Sequence, residues 1–365
     1  MILVSVIGDF HSSILPIFYN FHRQITKHIL VYDDAKRDVR NSQNIKKGID
    51  NFIRINNLTI EQLSYKVDED SLDSLKRCAD FLLDQSSNSQ ELYVNTTDGY
   101  STLNSILNFV LYSHGVNFIA YDRYDNEYNL LNKEKLSKHK MMNNLNIKDH
   151  FILKGNKVLV TGDKNFALQH QSLIRKIFEE YAEDFTTFTQ LSDIAYKIVD
   201  DIPESIQVKN IFQEMGLGKT HIKNSLLTGA LFEYYVYLLL KNMDFDDIAV
   251  SVEVFRAYKN SEVKNEFDLL VMKNNHLHII ECKYRNKLKL EDLVYKYISL
   301  AKLVDEDGKI VLITKKEYPY TFEIEQHKSQ GLIHKRGKLD NIEIMGVIER
   351  NPLKFQLNIR TLLGI

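Results

Sequence analysis

The sequence predicts an α/β protein, with a Rossmann-like domain at the N-terminus and, behind it, a mixed sheet flanked by helices. Three observations predict it. The first third alternates short apolar runs with amphipathic stretches, the pattern of a parallel sheet covered by helices. The last part opens with a strongly apolar helix and then reads strand, strand, strand, helix, strand. A length of 365 residues, at about 150 per domain, accommodates two or three such bodies.

Taken in order, Ile2 to Ile7 is an unbroken apolar strand that Gly8-Asp9 ends. Ile29 to Tyr32 stops at Asp33-Asp34, Leu92 to Val94 at Asn95-Thr96-Thr97-Asp98-Gly99, and Val116 to Tyr121 at Asp122. Between these runs, Ser12 to Gln24, Ala35 to Ile55, Ser71 to Leu83 and Ser101 to Tyr112 repeat apolar residues every ~3.6 positions and predict crossover helices. Ligands in such sheets sit beyond the carboxyl ends of the strands, where helix N-termini offer free N–H groups to anions. This domain spans residues 1–150. From 151 to 224 the pattern weakens into a partly helical connector, with a strand at Val158 to Thr161 and helices at Phe166 to Tyr181 and Leu191 to Val199. Residues 225–365 form the last domain. It reads as helix Ser225 to Asn242, strands Ala249 to Tyr258, Asn265 to Met272 and Leu277 to Lys283, helix Leu290 to Leu303 and strand Ile310 to Thr314.

A hydrophobic fraction of 44% with 26% charged residues excludes wholesale disorder and fibrous classes. The two cysteines, Cys78 and Cys282, cannot build a disulfide framework or a cysteine-rich zinc site, which fits a reducing cytosol. The apolar start lacks a basic leader, and the greasiest stretch, Leu226 to Leu240, carries Glu233 and falls short of the ~20 residues of a membrane span. A soluble cytoplasmic protein with no membrane partner is expected. Lys and Arg number 47 against 49 Asp and Glu, so no segment is a basic arm and any nucleic-acid contact is local. Lys283, Arg285, Lys287 and Lys289, then Lys335, Arg336 and Lys338, are the best candidates, although such runs also read as a solvated face.

The chemistry concentrates in Asn265-Glu266-Phe267-Asp268 and Glu281-Cys282-Lys283, on the two strands around Asn274-Asn275. If the two asparagines form a hairpin turn, which Asn permits by tolerating positive φ, Lys273 faces His276. Asp268 then faces Glu281, and Glu266 faces Lys283. All four lie on one face because side chains alternate along a strand. Opposed carboxylates repel unless a cation sits between them, and a hard divalent ion, Mg²⁺ or Mn²⁺, takes such oxygens. Lys283 can orient or deprotonate a water and balance developing phosphate charge. A one-residue slip of register would dismantle the arrangement, and an exposed strand face with cross-strand ion pairs is the alternative reading. Glu233, among Leu231, Phe232, Tyr234 and Tyr235, is costly to bury without a partner, or else lies on an outer helix face.

These pieces resemble the PD-(D/E)xK restriction-like nuclease superfamily. The resemblance is carried by Gly229-Ala230-Leu231-Phe232-Glu233, Asn265-Glu266-Phe267-Asp268, Glu281-Cys282-Lys283, and Tyr295-Lys296 with Ser299-Leu300 on the following helix. It implies a nuclease over roughly residues 225–350. Asp268 and Glu281 would be metal ligands, together with the backbone carbonyl of Cys282, with Glu233 supporting the metal and Lys283 as catalytic lysine.

The N-terminal domain resembles the CARF domain, the Rossmann-like sensor of CRISPR ancillary proteins that binds cyclic oligoadenylates. The match lies in Gly8-Asp9-Phe10-His11-Ser12-Ser13 and in Asn95-Thr96-Thr97-Asp98-Gly99-Tyr100-Ser101. The second run departs from the family's frequent Thr-Gly-Gly-Thr-Lys: it lacks the lysine and adds an acid, which bears on the phosphate contacts. The ligand set implied is Asp9, His11, Ser12, Ser13, Asn95, Thr97, Gly99 and Tyr100. The Asn95 to Gly99 run also reads as a plain turn and helix cap.

A CARF domain ahead of a PD-(D/E)xK domain is similar to the single-chain effector nucleases of type III CRISPR antiviral defence. That likeness implies a homodimer activated allosterically by a cyclic tetra- or hexa-adenylate, the tetra-adenylate first, and a nucleic acid substrate, DNA or RNA or both, cut with low sequence specificity. Two other functions compete: an unregulated restriction or repair nuclease, and a nucleotide sensor whose nuclease-like domain is inactive. Gly216-Leu217-Gly218-Lys219-Thr220 is not a phosphate-binding P-loop, because Gln213 stands where the motif needs its first glycine. His276 and His278 read as surface and packing residues, since no cysteine or histidine cluster accompanies them.

Overall fold

The computed structural model describes residues 1–8, 11–33, 36–86, 91–133, 135–180, 198–201, 208–219, 229–258, 261–284, 308–314, 342–346 and 352–365. They divide into two compact units, residues 1–158 with 254–263, and residues 159–253 with 264–365.

The first unit holds a seven-stranded sheet. Its strands are β1 (Ile2–Ile7), β2 (Lys27–Asp33), β3 (Glu61–Val67), β4 (Leu92–Asn95), β5 (Asn117–Asp122), β6 (Glu127–Leu131) and β7 (Leu136–Lys140). They lie in the order β3-β2-β1-β4-β5-β6-β7. The first five are parallel, and β6 and β7 continue as an antiparallel meander. Strand β1 is buried along its whole length, as a central strand covered on both faces must be, which is why its apolar run is unbroken. The helices are α1 (Leu15–Phe21), α2 (Lys36–Ile55), α3 (Leu72–Gln85), α4 (Ser101–Tyr112) and α5 (Ile147–Leu153). Helix α4 buries Leu103, Leu107 and Leu111, one residue every turn, and Ser71 caps α3 by accepting the Ser74 N–H. Strands β3 and β7 escape sequence detection because each is largely polar and partly or wholly exposed.

The second unit holds most of a six-stranded sheet of β8 (Lys157–Val160), β9 (Asp247–Tyr258), β10 (Ser261–Lys273), β11 (His276–Lys283), β12 (Ile310–Thr314) and β13 (Ile342–Gly346), in the order β13-β12-β11-β10-β9-β8, with residues 157–158, 254–258 and 261–263 counted in the first unit. Pairing of β10 with β11 is antiparallel, and β11, β12 and β13 run parallel, so the sheet is mixed as the sequence predicts. Its helices are α6 (Lys164–Gln169), α7 (Gln171–Glu179), α8 (Val208–Glu214), α9 (Leu231–Leu240) and α10 (Pro352–Leu363). Helix α9 is apolar on nearly every side, as a helix covered all round must be. It packs with Ile174, Ile177 and Phe178 of α7, Phe212 of α8 and Phe355 and Ile359 of α10 against Leu269, Val271, Ile280 and Cys282 of the sheet. The described part of the segment read as a connector therefore supplies core helices to this unit. The single helix read over Phe166 to Tyr181 is two, α6 and α7, meeting at His170. Most of Leu191 to Val199 and all of Leu290 to Leu303 lie outside the described residues.

Gly216 has φ +74° and ends α8, with its N–H donating to Gln213 O and the Leu217 N–H donating to Phe212 O. That is a left-handed helix stop, which accounts for the glycine and leaves no phosphate loop.

Candidate functional site: a carboxylate pair closed by a lysine

The hairpin forms as its asparagines require. Asn274 and Asn275 have φ +51° and +64°, the two consecutive left-handed residues of a tight two-residue turn. Lys273 pairs with His276, and the register runs without slip to Leu269 opposite Ile280. Strand β11 is buried on both faces, with only its ends partly open.

Beyond Leu269 the side chains take over. The Asp268 Oδ2 atom accepts the Cys282 N–H at 2.7 Å and the Lys283 ammonium at 3.0 Å. The same ammonium pairs with Glu281 Oε1 and reaches the Cys282 carbonyl oxygen at 3.4 Å. Three oxygens named for a metal ion thus converge on one cation, the Lys283 Nζ. Glu281 is almost wholly enclosed, whereas Asp268 and Lys283 keep 17% and 21% of their side chains exposed, so the group is open on the side of the aspartate and lysine. Burial pulls the lysine's pKa down, but Asp268 and Glu281 outweigh it and hold the ammonium charged well above the usual range.

Glu233 stands in the first turn of α9 and accepts the Ser251 hydroxyl at 2.6 Å. Its pKa is pushed up to about 7, first by burial and next by the charge of Asp268, with Glu281 adding to it and Lys283 and Ser251 opposing it. Glu233 is partly buried and feels the charge of all three neighbours. Glu266 behaves otherwise: it does not meet Lys283 but leaves 67% of its side chain in solvent and pairs with Lys264 at 2.5 Å. The paired register does not extend that far, and Lys283 follows Asp268 instead. His278 is a packing residue, as expected, buried with its Nδ1 accepting the Lys309 N–H at 3.1 Å.

Among the described residues no group of three His, Cys, Asp or Glu side chains is assembled as a metal centre. The donor set nevertheless fits a hard divalent ion in kind: two carboxylates and a backbone carbonyl already coordinate a cationic group. An ion bound there would be held by Asp268, Glu281 and the Cys282 carbonyl.

In the first unit the chain leaves β1 toward β2 on one side and meets β4 on the other, which makes the β1–β4 boundary the switch point of the sheet. The two exits are joined there. The Gly8 N–H donates to Asp98 Oδ2 at 2.8 Å, and a Cβ on Gly8 would stand 2.7 Å from the Gly99 nitrogen. Gly99 itself has φ +96°, a conformation only glycine adopts freely. Asn95 is buried, its amide donating to Ile14 O at 3.3 Å and its Oδ1 accepting the Thr97 N–H and hydroxyl at 3.1 and 2.6 Å. Thr97 in turn accepts the Tyr121 N–H at 2.9 Å. Asn95 and Thr97 therefore shape the loop, and Tyr100 precedes α4 in extended conformation while leaning on the core. Ser13 is half-buried in the short helical turn after β1. Asp9 and the side chains of His11 and Ser12 lie outside the described residues.

No helix of the described residues is long and apolar enough to cross a membrane. Residues 220–327 match the family model of the Card1-like endonuclease domain. No curated protein sequence matches the chain. Among solved structures, protein VC1899 from Vibrio cholerae aligns with 100% of this chain and 97% of its own at a TM-score of 0.74 and 16% identity. Can2 from Sulfobacillus thermosulfidooxidans, in complex with cyclic tetra-adenylate, aligns over 99% of both chains at 0.68 and 17% identity. A type III CRISPR defence DNA nuclease activated by cyclic oligoadenylate aligns with 87% of this chain and 45% of its own, at 0.54 and 10% identity. Residues 220–327 are thus similar to the Card1-like endonuclease domain, and the chain shares the fold of VC1899 and of Can2 along its whole length.

Proposed function

We propose that the protein is a metal-dependent endonuclease of type III CRISPR defence, cleaving DNA or RNA when its N-terminal domain binds a cyclic oligoadenylate, with cyclic tetra-adenylate the first choice. The convergence of Asp268, Glu281 and the Cys282 carbonyl on one cation carries this reading. These oxygens would hold a divalent ion, which would supply Lewis-acid activation of the phosphodiester. Lys283, freed from its carboxylates, faces the charge that grows on phosphate. Glu233, with a pKa near neutrality, holds or releases a proton beside it.

The ligand reading rests on the switch point of the sheet and on the structural likeness to Can2, whose complex holds cyclic tetra-adenylate. Hydroxyls and N–H groups at the start of α4 suit phosphate and ribose. Pairing of two chains is supported by α4 itself. Residues 101–117 contain no Asp, Glu, Lys or Arg, and Phe109 is 84% exposed. A twofold axis sets like residues against each other, so an uncharged face suits it.

Purified protein incubated with Mn²⁺ and labelled single-stranded and supercoiled substrates, with and without cyclic tri-, tetra- and hexa-adenylate, tests the whole reading beside Glu281→Ala. Cleavage that needs one ring and vanishes in the variant is expected. Constant cleavage would leave an unregulated nuclease, and nucleotide binding with no cleavage under any condition would leave a sensor with an inactive nuclease domain.

A further inference from the structure

Ser251 stands within β9 at φ +49°, a left-handed conformation in a strand and an unfavourable one for any residue with a Cβ. Consecutive carbonyls of a flat strand point to opposite sides. Those of Val250 and Ser251 instead both serve residues 161 and 162. The Gly162 N–H donates to Val250 O at 3.1 Å, while Ser251 O accepts the Thr161 N–H at 2.9 Å and its hydroxyl at 2.7 Å. This is a bulge held by three hydrogen bonds. The approach is close enough that a Cβ on Gly162 would sit 2.8 Å from Val250 Cβ.

The bulge re-aims one side chain. Ser251 Oγ turns to Glu233 and donates to Oε2 at 2.6 Å. We infer that Ser251 is a positioning residue of the nuclease centre: the strained backbone directs its hydroxyl to Glu233 and holds that carboxylate toward Asp268, Glu281 and Lys283. Thr161 and Gly162 keep the strain in place. The inference rests on the reading of these acids as a divalent-ion site, and it adds a residue that no motif marks.

Two variants of the full chain separate positioning from strand-shaping. Ser251→Ala loses the hydroxyl and keeps the strain; Ser251→Gly loses both, because glycine adopts this conformation freely. Mn²⁺ alone is titrated in by electron paramagnetic resonance of the free ion, without nucleic acid, alongside thermal melting and cleavage rates. The glycine variant is expected to melt at or above the wild type. Both variants are expected to bind Mn²⁺ about tenfold more weakly and to cleave ~10–100-fold more slowly, the usual loss when a partner behind a metal ligand is removed. A glycine variant that keeps Mn²⁺ affinity and cleavage within about twofold of wild type overturns the inference while the metal reading stands. Wild-type protein that takes up no Mn²⁺ overturns both.

Discussion

Lys283 stands 3.0 Å from Asp268 Oδ2 while pairing with Glu281, so the lysine is the resident counter-ion of the two carboxylates that would hold a metal. On the proposed reading, metal uptake and the release of this lysine would be one event, the ion replacing the ammonium between the two carboxylates.

Replacing that charge is the direct check. Lys283→Met leaves Asp268 and Glu281 facing each other with no cation between them, which costs stability of roughly 2 kcal/mol, less than full burial would, because a fifth of the side chain is exposed (21%). Cleavage falls at least about a hundredfold. Added Mn²⁺ should raise the melting temperature of the variant more than that of the wild type. Equal shifts would mean that the ion binds elsewhere.

Glu233 gives the second unit an acid-favouring term. Its pKa is raised to about 7 in the folded protein, first by burial and then by Asp268, so the folded state binds more protons than the unfolded one between about pH 4.5 and 7. Its contribution to stability is therefore fully present below that window and is lost as pH rises through 7. Glu233→Gln flattens this slope in urea titrations run at several pH values, and Mn²⁺ uptake by the wild type releases a proton near pH 6, measurable in weakly buffered solution.

His28 has the opposite sign. It is fully buried between Ser5, 3.0 Å from its Nε2, and Gln62, 3.3 Å from its Nδ1, and burial depresses its pKa to about 4. The unfolded chain then binds more protons between pH 6.5 and 4, and stability of up to about 3 kcal/mol is lost as pH falls through that range. Hydrogen exchange at pH 5 should show the first unit opening before the second. In His28→Leu that difference shrinks.

The hairpin turn offers a backbone test. Asn274→Gly keeps the left-handed φ and the N–H that donates to Asp246 Oδ2 at 2.6 Å, and stability stays within about 1 kcal/mol. Asn274→Val, branched at Cβ, costs about 2 kcal/mol and disturbs the register that brings Asp268 to Cys282. Denaturant midpoints and cleavage rates should fall together.

Much of this was legible in the amino-acid order. Ile2–Ile7 is uniformly apolar because it is buried on both faces, and the asparagine pair that sets the hairpin is visible because few residues accept its dihedral angles. Strands β3 and β7 are not visible, since each satisfies its backbone at a partly exposed position with no apolar alternation to announce it. Glu266 was placed by extending an ideal register past the point where side chains replace it. Ser251 carries no signal at all, because a bulge depends on what a neighbouring segment does to the strand.

The bond from the Gly8 N–H to Asp98, with the close approach of Gly8 to Gly99, ties the end of β1 to the loop after β4. That loop is fixed by its own bonds, Asn95 holding Thr97 and Thr97 accepting the Tyr121 N–H. A ligand arriving at the switch point would therefore meet a finished surface on the β4 side and lose little affinity there to loop entropy. Calorimetry of such binding should show no heat-capacity change from coupled folding of the β4 loop.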